Sequence, residues 1–271
     1  MPRLDLDDAS LHYETAGARG PQVVLVQGVG AVGEGWRPQI DALAADHRLA
    51  WFDNRGIGRS RDDGGPLTIA RLAADTLALA DHLGWERPHL VGHSMGGMIV
   101  QEAARQAPHR VRSLGLLSTS RRGRDVLWLS ARALRLSMKM RFGAEERRWR
   151  AFAELGFPRA YLEEAGYPRV IALLRASFCD DFVRMPKVVR RQIGALARHR
   201  GGDMAALRCL PALIVTGSHD LSVPTRLSDD LRRHLPHARF KRFTDAGHAV
   251  TLQHVAAIDR LLREHIASAG A

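Results

Sequence analysis

Cysteine is nearly absent from this chain. Only Cys179 and Cys209 occur in 271 residues, which excludes a disulfide framework, and neither stands at metal-ligand spacing from a histidine. Long apolar runs are missing as well; none approaches the ~20 residues that a bilayer span requires. The opening Met1-Pro2-Arg3-Leu4-Asp5 lacks the apolar stretch of a secretory signal. These absences point to a reduced, cytoplasmic setting with no membrane span, no metal and no bound cofactor. Lysine is scarce too, with Lys139, Lys187 and Lys241 the only three among 40 basic residues. No helix-turn-helix, zinc-finger or RNP signature is present, so nucleic acid is a poor candidate partner despite a formal charge of +11. Internal repeats and low-complexity segments are also lacking.

The positive charge is unevenly placed. Arg121 to Arg200 holds 19 Lys+Arg against 8 Asp+Glu, and the remainder holds 21 of each. The plain reading is a composition biased to arginine on solvated helix faces. The sharper reading is a basic surface near an active site that attracts anionic substrates.

Apolar patterning alternates between short runs and helical periods. Leu4, Leu6, Leu11 and Tyr13 around Asp7-Asp8 predict a small hairpin. Val23 to Val26 is a continuous apolar run, as expected of a strand buried on both faces of a parallel sheet. A Gly-rich loop from Gly28 to Gly35 and a helix from about Arg37 to Ala45 follow. Strands are expected at Leu49–Phe52, Leu90-Val91, Val111–Leu117, Leu213–Thr216 and Phe240–Phe243. Helices are expected at Thr68–Leu83, Met95–Gln106, Pro224–His234 and Thr251–Ile266, with Thr68 as N-cap and Gly84 as stop for the first. From Arg121 to Arg200 the alternation ceases, and four or five short helices are expected with no strand among them. The organisation is therefore an α/β core of residues 1–120 and 201–271, interrupted after the sixth strand by a helical cap, or lid, of residues 121–200.

Gly92-His93-Ser94-Met95-Gly96-Gly97 contains G-x-S-x-G between an apolar run and a helix. That layout reads as a nucleophile elbow, a turn sharp enough to push the serine hydroxyl out of the sheet. The helix that follows aims its N-terminal N–H groups at a developing oxyanion.

With three further stretches the chain resembles the α/β-hydrolase superfamily over essentially its whole length. Val26-Gln27-Gly28-Val29-Gly30 is similar to the oxyanion loop after the third strand, and Asp53-Asn54-Arg55-Gly56-Ile57-Gly58-Arg59-Ser60 to the family's D-x-R-G-x-G-x-S loop. Thr216-Gly217-Ser218-His219-Asp220 and Ala246-Gly247-His248 follow two late strands. The resemblance implies a mostly parallel, eight-stranded sheet flanked by helices. It further implies Ser94 as nucleophile, His248 as base and Asp220 as the acid that orients it, in the chain order this superfamily uses. It assigns the oxyanion donors to the backbone N–H groups of Val29 and Met95. The family's usual histidine before the oxyanion glycine is replaced by Gln27, whose amide can brace the loop.

Asp245 is a rival acid but sits too close to His248 in sequence. Asp53 and Arg55 are expected to brace their loop. Gln27, Trp36, Trp128, Phe142 and Phe178 are candidate substrate contacts, with Leu134, Met138, Met140, Phe152 and Tyr161 as further candidates. Packing of the cap onto the core is the competing explanation for most of these.

A serine nucleophile forms an acyl enzyme, which points to a carboxylic ester or lactone as the small-molecule partner, and the basic cap points to an anionic one. Halide and epoxide cleavage would need a carboxylate at the elbow. C–C bond hydrolysis, perhydrolysis, a non-hydrolytic cyclase and a receptor-like binding protein are the alternatives on the same residues. Oligomeric state is not legible.

Overall fold

The computed structural model describes residues 2–128, 130–179 and 181–270. An N-terminal hairpin of β1 (Arg3–Leu6) and β2 (Ala9–Ala16) leads into β3 (Gln22–Val26), α1 (Arg37–Leu43) and β4 (Arg48–Phe52). Then come β5 (Arg61–Asp62), α2 (Ile69–His82), β6 (His89–His93), α3 (Met95–Gln106) and β7 (Ser113–Leu117). A helical insertion follows: α4 (Ala131–Arg141), α5 (Glu145–Gly156), α6 (Arg159–Ala165), α7 (Tyr167–Ser177) and α8 (Lys187–Arg198), with short 3-10 turns between some of them. The chain closes with β8 (Ala212–Gly217), α9 (Thr225–His234), β9 (Arg239–Phe243), α10 (Val250–Gln253) and α11 (Val255–Gly270).

The strands form one sheet in the order β1-β2-β4-β3-β6-β7-β8-β9, with β5 pairing β2 off this path. From β4 through β9 along that order every pairing is parallel. The alternation of strand side chains explains why both faces must be covered. Val24, Val26, Leu90, Leu114, Leu116 and Ile214 enter one buried cluster. Their neighbours Val23, Leu25, Val91, Leu117, Leu213 and Val215 enter another. Met98 and Ile99 of α3 and Leu227 and Leu231 of α9 close the first face. Ile40 and Leu43 of α1 and Ile258, Leu262 and Ile266 of α11 close the second. The outermost strand β9 keeps Arg239, Lys241 and Arg242 in or near solvent, a charged edge that discourages further strand addition.

Local chemistry sets the ends of α2. The Thr68 hydroxyl accepts the Arg71 N–H at 3.1 Å, and Gly84 takes φ +67°, a conformation that costs glycine little. Some expected bounds shift. The strand at Leu90-Val91 runs from His89 to His93, because pairing with β3 and β7 recruits residues of weak intrinsic strand preference. The two-residue β5 is an addition to the expected strands, so the helical insertion follows the seventh. The expected helix Thr251–Ile266 is broken at His254 into α10 and α11. The Gln253 side chain turns back there to accept Gly247 N–H at 3.1 Å and donate to Asp245 O at 2.7 Å. No helix among the described residues is long and apolar enough to cross a membrane.

Registers Val26↔Gly92 and His93↔Leu117 bring the carboxyl ends of β3, β6 and β7 level. The loops after β3, β6, β8 and β9 therefore converge on one rim of the sheet, where ligands bind in such folds.

Candidate active site

Ser94 sits at the β6–α3 junction with φ +56° and ψ −122°. That is a strained conformation for any residue but glycine, and it persists only when the surroundings enforce it. Two close approaches do so. A Cβ on Gly92 would lie 2.2 Å from Gly96 O, and one on Gly96 would lie 2.1 Å from Val26 O. Both glycines are thus required for α3 to start hard against the sheet. Ser94 N–H donates to Leu117 O at 2.9 Å, and Ser94 O accepts the Thr119 hydroxyl at 2.7 Å.

The loop after β3 lies directly over this serine. A Cβ at Gly28 would stand 2.9 Å from Ser94 Cβ and 3.4 Å from its Oγ. Among the described residues, the N–H groups of Val29 and Met95 donate to no protein acceptor. The neighbouring Gly30 N–H is taken by Gln192 Oε1 of α8 at 2.8 Å. Gln27 is buried. Its backbone O accepts Asn54 Nδ2 at 3.1 Å, and its side-chain Oε1 lies 3.4 Å from Gly28 N.

His248 follows β9, and its Nδ1–H donates to Asp220 Oδ2 at 2.8 Å. The other carboxylate oxygen of Asp220 accepts the N–H groups of Ser222 and Val223 at 2.9 and 2.7 Å. Its side chain has no solvent exposure. A carboxylate so held fixes the imidazole with Nε2 unprotonated. Asp245 instead faces His254 at 3.1 Å. Gly217 lets the two loops close, since a Cβ there would sit 2.4 Å from Ala246 O.

His93 contributes a tie that the sequence did not announce. Its Nε2–H donates to His248 O at 3.0 Å, and the two rings lie 4.9 Å apart between centroids. Burial, then the nearby His248, pushes the His93 pKa down to about 3. The ring therefore stays neutral and donates through one nitrogen. The Trp36 ring stands edge-on to it at 6.4 Å and is fully buried. The Asp53 carboxylate accepts Gly33 N–H at 2.7 Å and Arg59 N–H at 2.9 Å. Arg55 pairs with buried Asp75 at 2.6 Å and with Asp8. Both residues are engaged in holding their loop.

The helical insertion approaches the rim from above. Phe178 bridges backbone to Ala31 and forms a ring cluster with Phe152 at 4.8 Å and Phe182 at 4.6 Å. The Phe182 ring fills the space where a Gly30 Cβ would be. Met140 is buried in the insertion, and Phe152 and Tyr161 pack against its core. Trp128, Leu134, Met138 and Phe142 are exposed on its surface. The tie from Gln192 to Gly30 spans 162 positions, and no local motif could have signalled it.

A strained serine elbow whose neighbour His93 holds the loop of an Asp-paired histidine, on a doubly covered, mostly parallel sheet, is the geometry of an α/β hydrolase. The family model described as alpha/beta hydrolase fold matches residues 21–169, and the chain belongs to that family. It is 31% identical over 252 residues, 92% of each chain, to a protein of Azorhizobium caulinodans that carries the name carbamate hydrolase RutD. Among solved structures it is similar to the enol-lactonase from Burkholderia xenovorans LB400, with 25% identity, TM-score 0.78, and coverage of 98% of this chain and 100% of that one. It is also similar to a hydrolase from Pseudomonas aeruginosa PA01, with 27% identity, TM-score 0.77, and coverage of 98% and 97%.

Proposed function

We propose that the chain is a serine hydrolase that opens a carboxylic ester or lactone through an acyl enzyme. The observation that carries this reading is the 2.8 Å Asp220–His248 bond beside the strained Ser94 elbow. A serine hydroxyl is a weak nucleophile at neutral pH and needs such an oriented base. In this reading Ser94 Oγ attacks the carbonyl carbon while His248 Nε2 takes its proton. Asp220 stabilises the imidazolium. The free N–H groups of Val29 and Met95 receive the oxyanion; each such donor is worth roughly 3 kcal/mol in related chemistry. The imidazolium then returns the proton to the leaving alkoxide, and water repeats the sequence on the acyl enzyme.

Residues 121–200 act as a lid in this account. Phe178 is the best supported of the candidate substrate contacts, because its ring cluster stands beside the oxyanion loop. Gln27 and Trp36 are buried and serve as supports. Trp128 and Phe142 are exposed and would reach a substrate only at the mouth.

A second reading, carbamate hydrolysis, draws support from the 31% identity to the protein named RutD. It uses the same residues, because the carbamate carbonyl also passes through a tetrahedral oxyanion. Labelling with a fluorophosphonate should place the adduct on Ser94 by mass spectrometry, and an adduct elsewhere in active protein would sink both readings. A matched panel of p-nitrophenyl esters, enol-lactones and carbamates then separates them by kcat/KM.

A further inference from the structure

A cavity lies away from the serine elbow. It measures about 530 Å³ and is walled by Gly64, Gly65, Pro66 and Leu67 on one side. Lys187, Arg190, Arg191, Gly194 and Arg198 wall the other. Ser94, Asp220 and His248 take no part in it. The cationic residues fall at helical spacing on α8 and so share one face of that helix.

Their partners decide what the groove can do. Arg191 is paired, to Asp62 and to Gly65 O. Arg190 donates to Met185 O at 2.7 Å, and Arg198 donates to Leu67 O at 3.2 Å. Those carbonyls aim the guanidinium groups without neutralising them, and each guanidinium has five N–H donors in a fixed fork. Among the described residues, neither Arg190, Arg198 nor Lys187 meets a carboxylate. The acidic loop alongside is already engaged: Asp62 with Arg191, and Asp63 with Arg71 at 3.7 Å.

Glycines keep the groove open. Gly64 has nothing within 4 Å of a Cβ position, at φ +89°. A Cβ on Gly194 would stand 3.3 Å from Arg198 Nη1, so the bare helix face lets that arginine lie across it. From Lys187 to Arg198 the helix rises about 16 Å at ~1.5 Å per residue. A single small anion cannot meet cations spread over that length, whereas an elongated one can.

We propose that this groove is a binding site for a small elongated polyanion carrying more than one phosphate group. Planar guanidinium forks suit phosphate oxygens, and a cleft of one charge sign concentrates such ligands. The occupant lies on the outer face of α8, whose inner face carries the Gln192–Gly30 bond. The site stands whether or not the serine assignment does, because binding is read directly.

The test is calorimetric titration of the intact protein with inorganic tripolyphosphate and with sulfate at matched ionic strength. Tripolyphosphate should bind at least 10-fold more tightly than sulfate. K187E/R190E should weaken it at least 10-fold, and R198A should weaken it several-fold. The control R132E/R135E carries the same charge change on exposed positions of α4 and should leave the affinity within 2-fold. Equal loss in that control would reduce the effect to net charge and overturn the proposal, as would equal affinity for sulfate. Tighter binding of a single-stranded oligonucleotide than of tripolyphosphate would overturn the assignment to a small ligand. Circular dichroism of each variant confirms that the fold is retained.

Discussion

His93 donates its Nε2–H to the backbone oxygen of His248 across 3.0 Å. The residue before the elbow serine thus holds the histidine loop from below. It is suited to that task because burial keeps its pKa down at about 3, so its donor pattern stays constant across the working pH range. H93A should lower kcat by about 10-fold, in line with ~1–3 kcal/mol for an orphaned buried acceptor. KM should change little. Paired kinetics on one ester check this; a rise in KM with kcat intact would place His93 in substrate binding instead.

Asp220 holds the imidazole through Oδ2, so D220N should reduce kcat by roughly 10²–10⁴-fold through loss of the correct tautomer and counter-charge. D245N should stay near the parent value, since that side chain faces His254. Steady-state rates of the two variants, with Tm measured beside them, distinguish the acids.

Gly28 and Gly96 make different demands. A Cβ at Gly28 meets the Ser94 side chain at 2.9 Å, while one at Gly96 meets Val26 backbone oxygen at 2.1 Å. G28A should therefore cost at least ~10-fold in activity with a modest change in Tm, because a side chain can give way. G96A should fail to accumulate as folded protein, because backbone cannot yield without moving the sheet. Expression yield and thermal melts read both outcomes.

Stability should fall on acidification in a particular window. Burial lowers His89 from 6.5 to about 3 and His265 to about 4, and His93 behaves likewise. A depressed folded pKa contributes stability above pH ~6.5 and loses it as pH falls toward the folded values. Asp259 runs the other way: burial raises it from 3.8 to about 6, so its contribution is full below 3.8 and is lost as pH rises through about 6. D259N should accordingly raise Tm at pH 7.5 and leave it nearly unchanged at pH 4. H89Q/H265Q should flatten the decline of Tm between pH 6.5 and 4. Melting curves across pH on these variants check the slopes rather than the absolute values.

The elbow was legible because its determinants are local. Gly92, Ser94 and Gly96 lie within five residues, and the reason for each glycine is the same backbone turn. Thr68 and Gly84 marked the ends of a helix by capping chemistry alone. The strand Leu90-Val91 was underestimated because its flanking His89, Gly92 and His93 gain their conformation from two parallel neighbours. The break at His254 was hidden, since it depends on where the Gln253 amide finds partners. The Gln192–Gly30 bond and the Arg55–Asp8–Asp75 set were not visible either. Such contacts join residues far apart in the chain, and no spacing rule encodes them. The cationic segment was evident as composition. That four of its members line one groove emerged only from the helix face they share with a glycine.

Ala249 N–H ends on Gly156 O at 3.0 Å, and a Cβ at Gly247 would come within 2.4 Å of the same oxygen. The last turn of α5 is thus a buttress for the histidine loop. A chimera that exchanges the whole helical block would surrender that buttress. One spliced after Gly156 would keep it but would still give up the Gln192–Gly30 bond of α8, so the block has two separate attachments that an exchange must preserve.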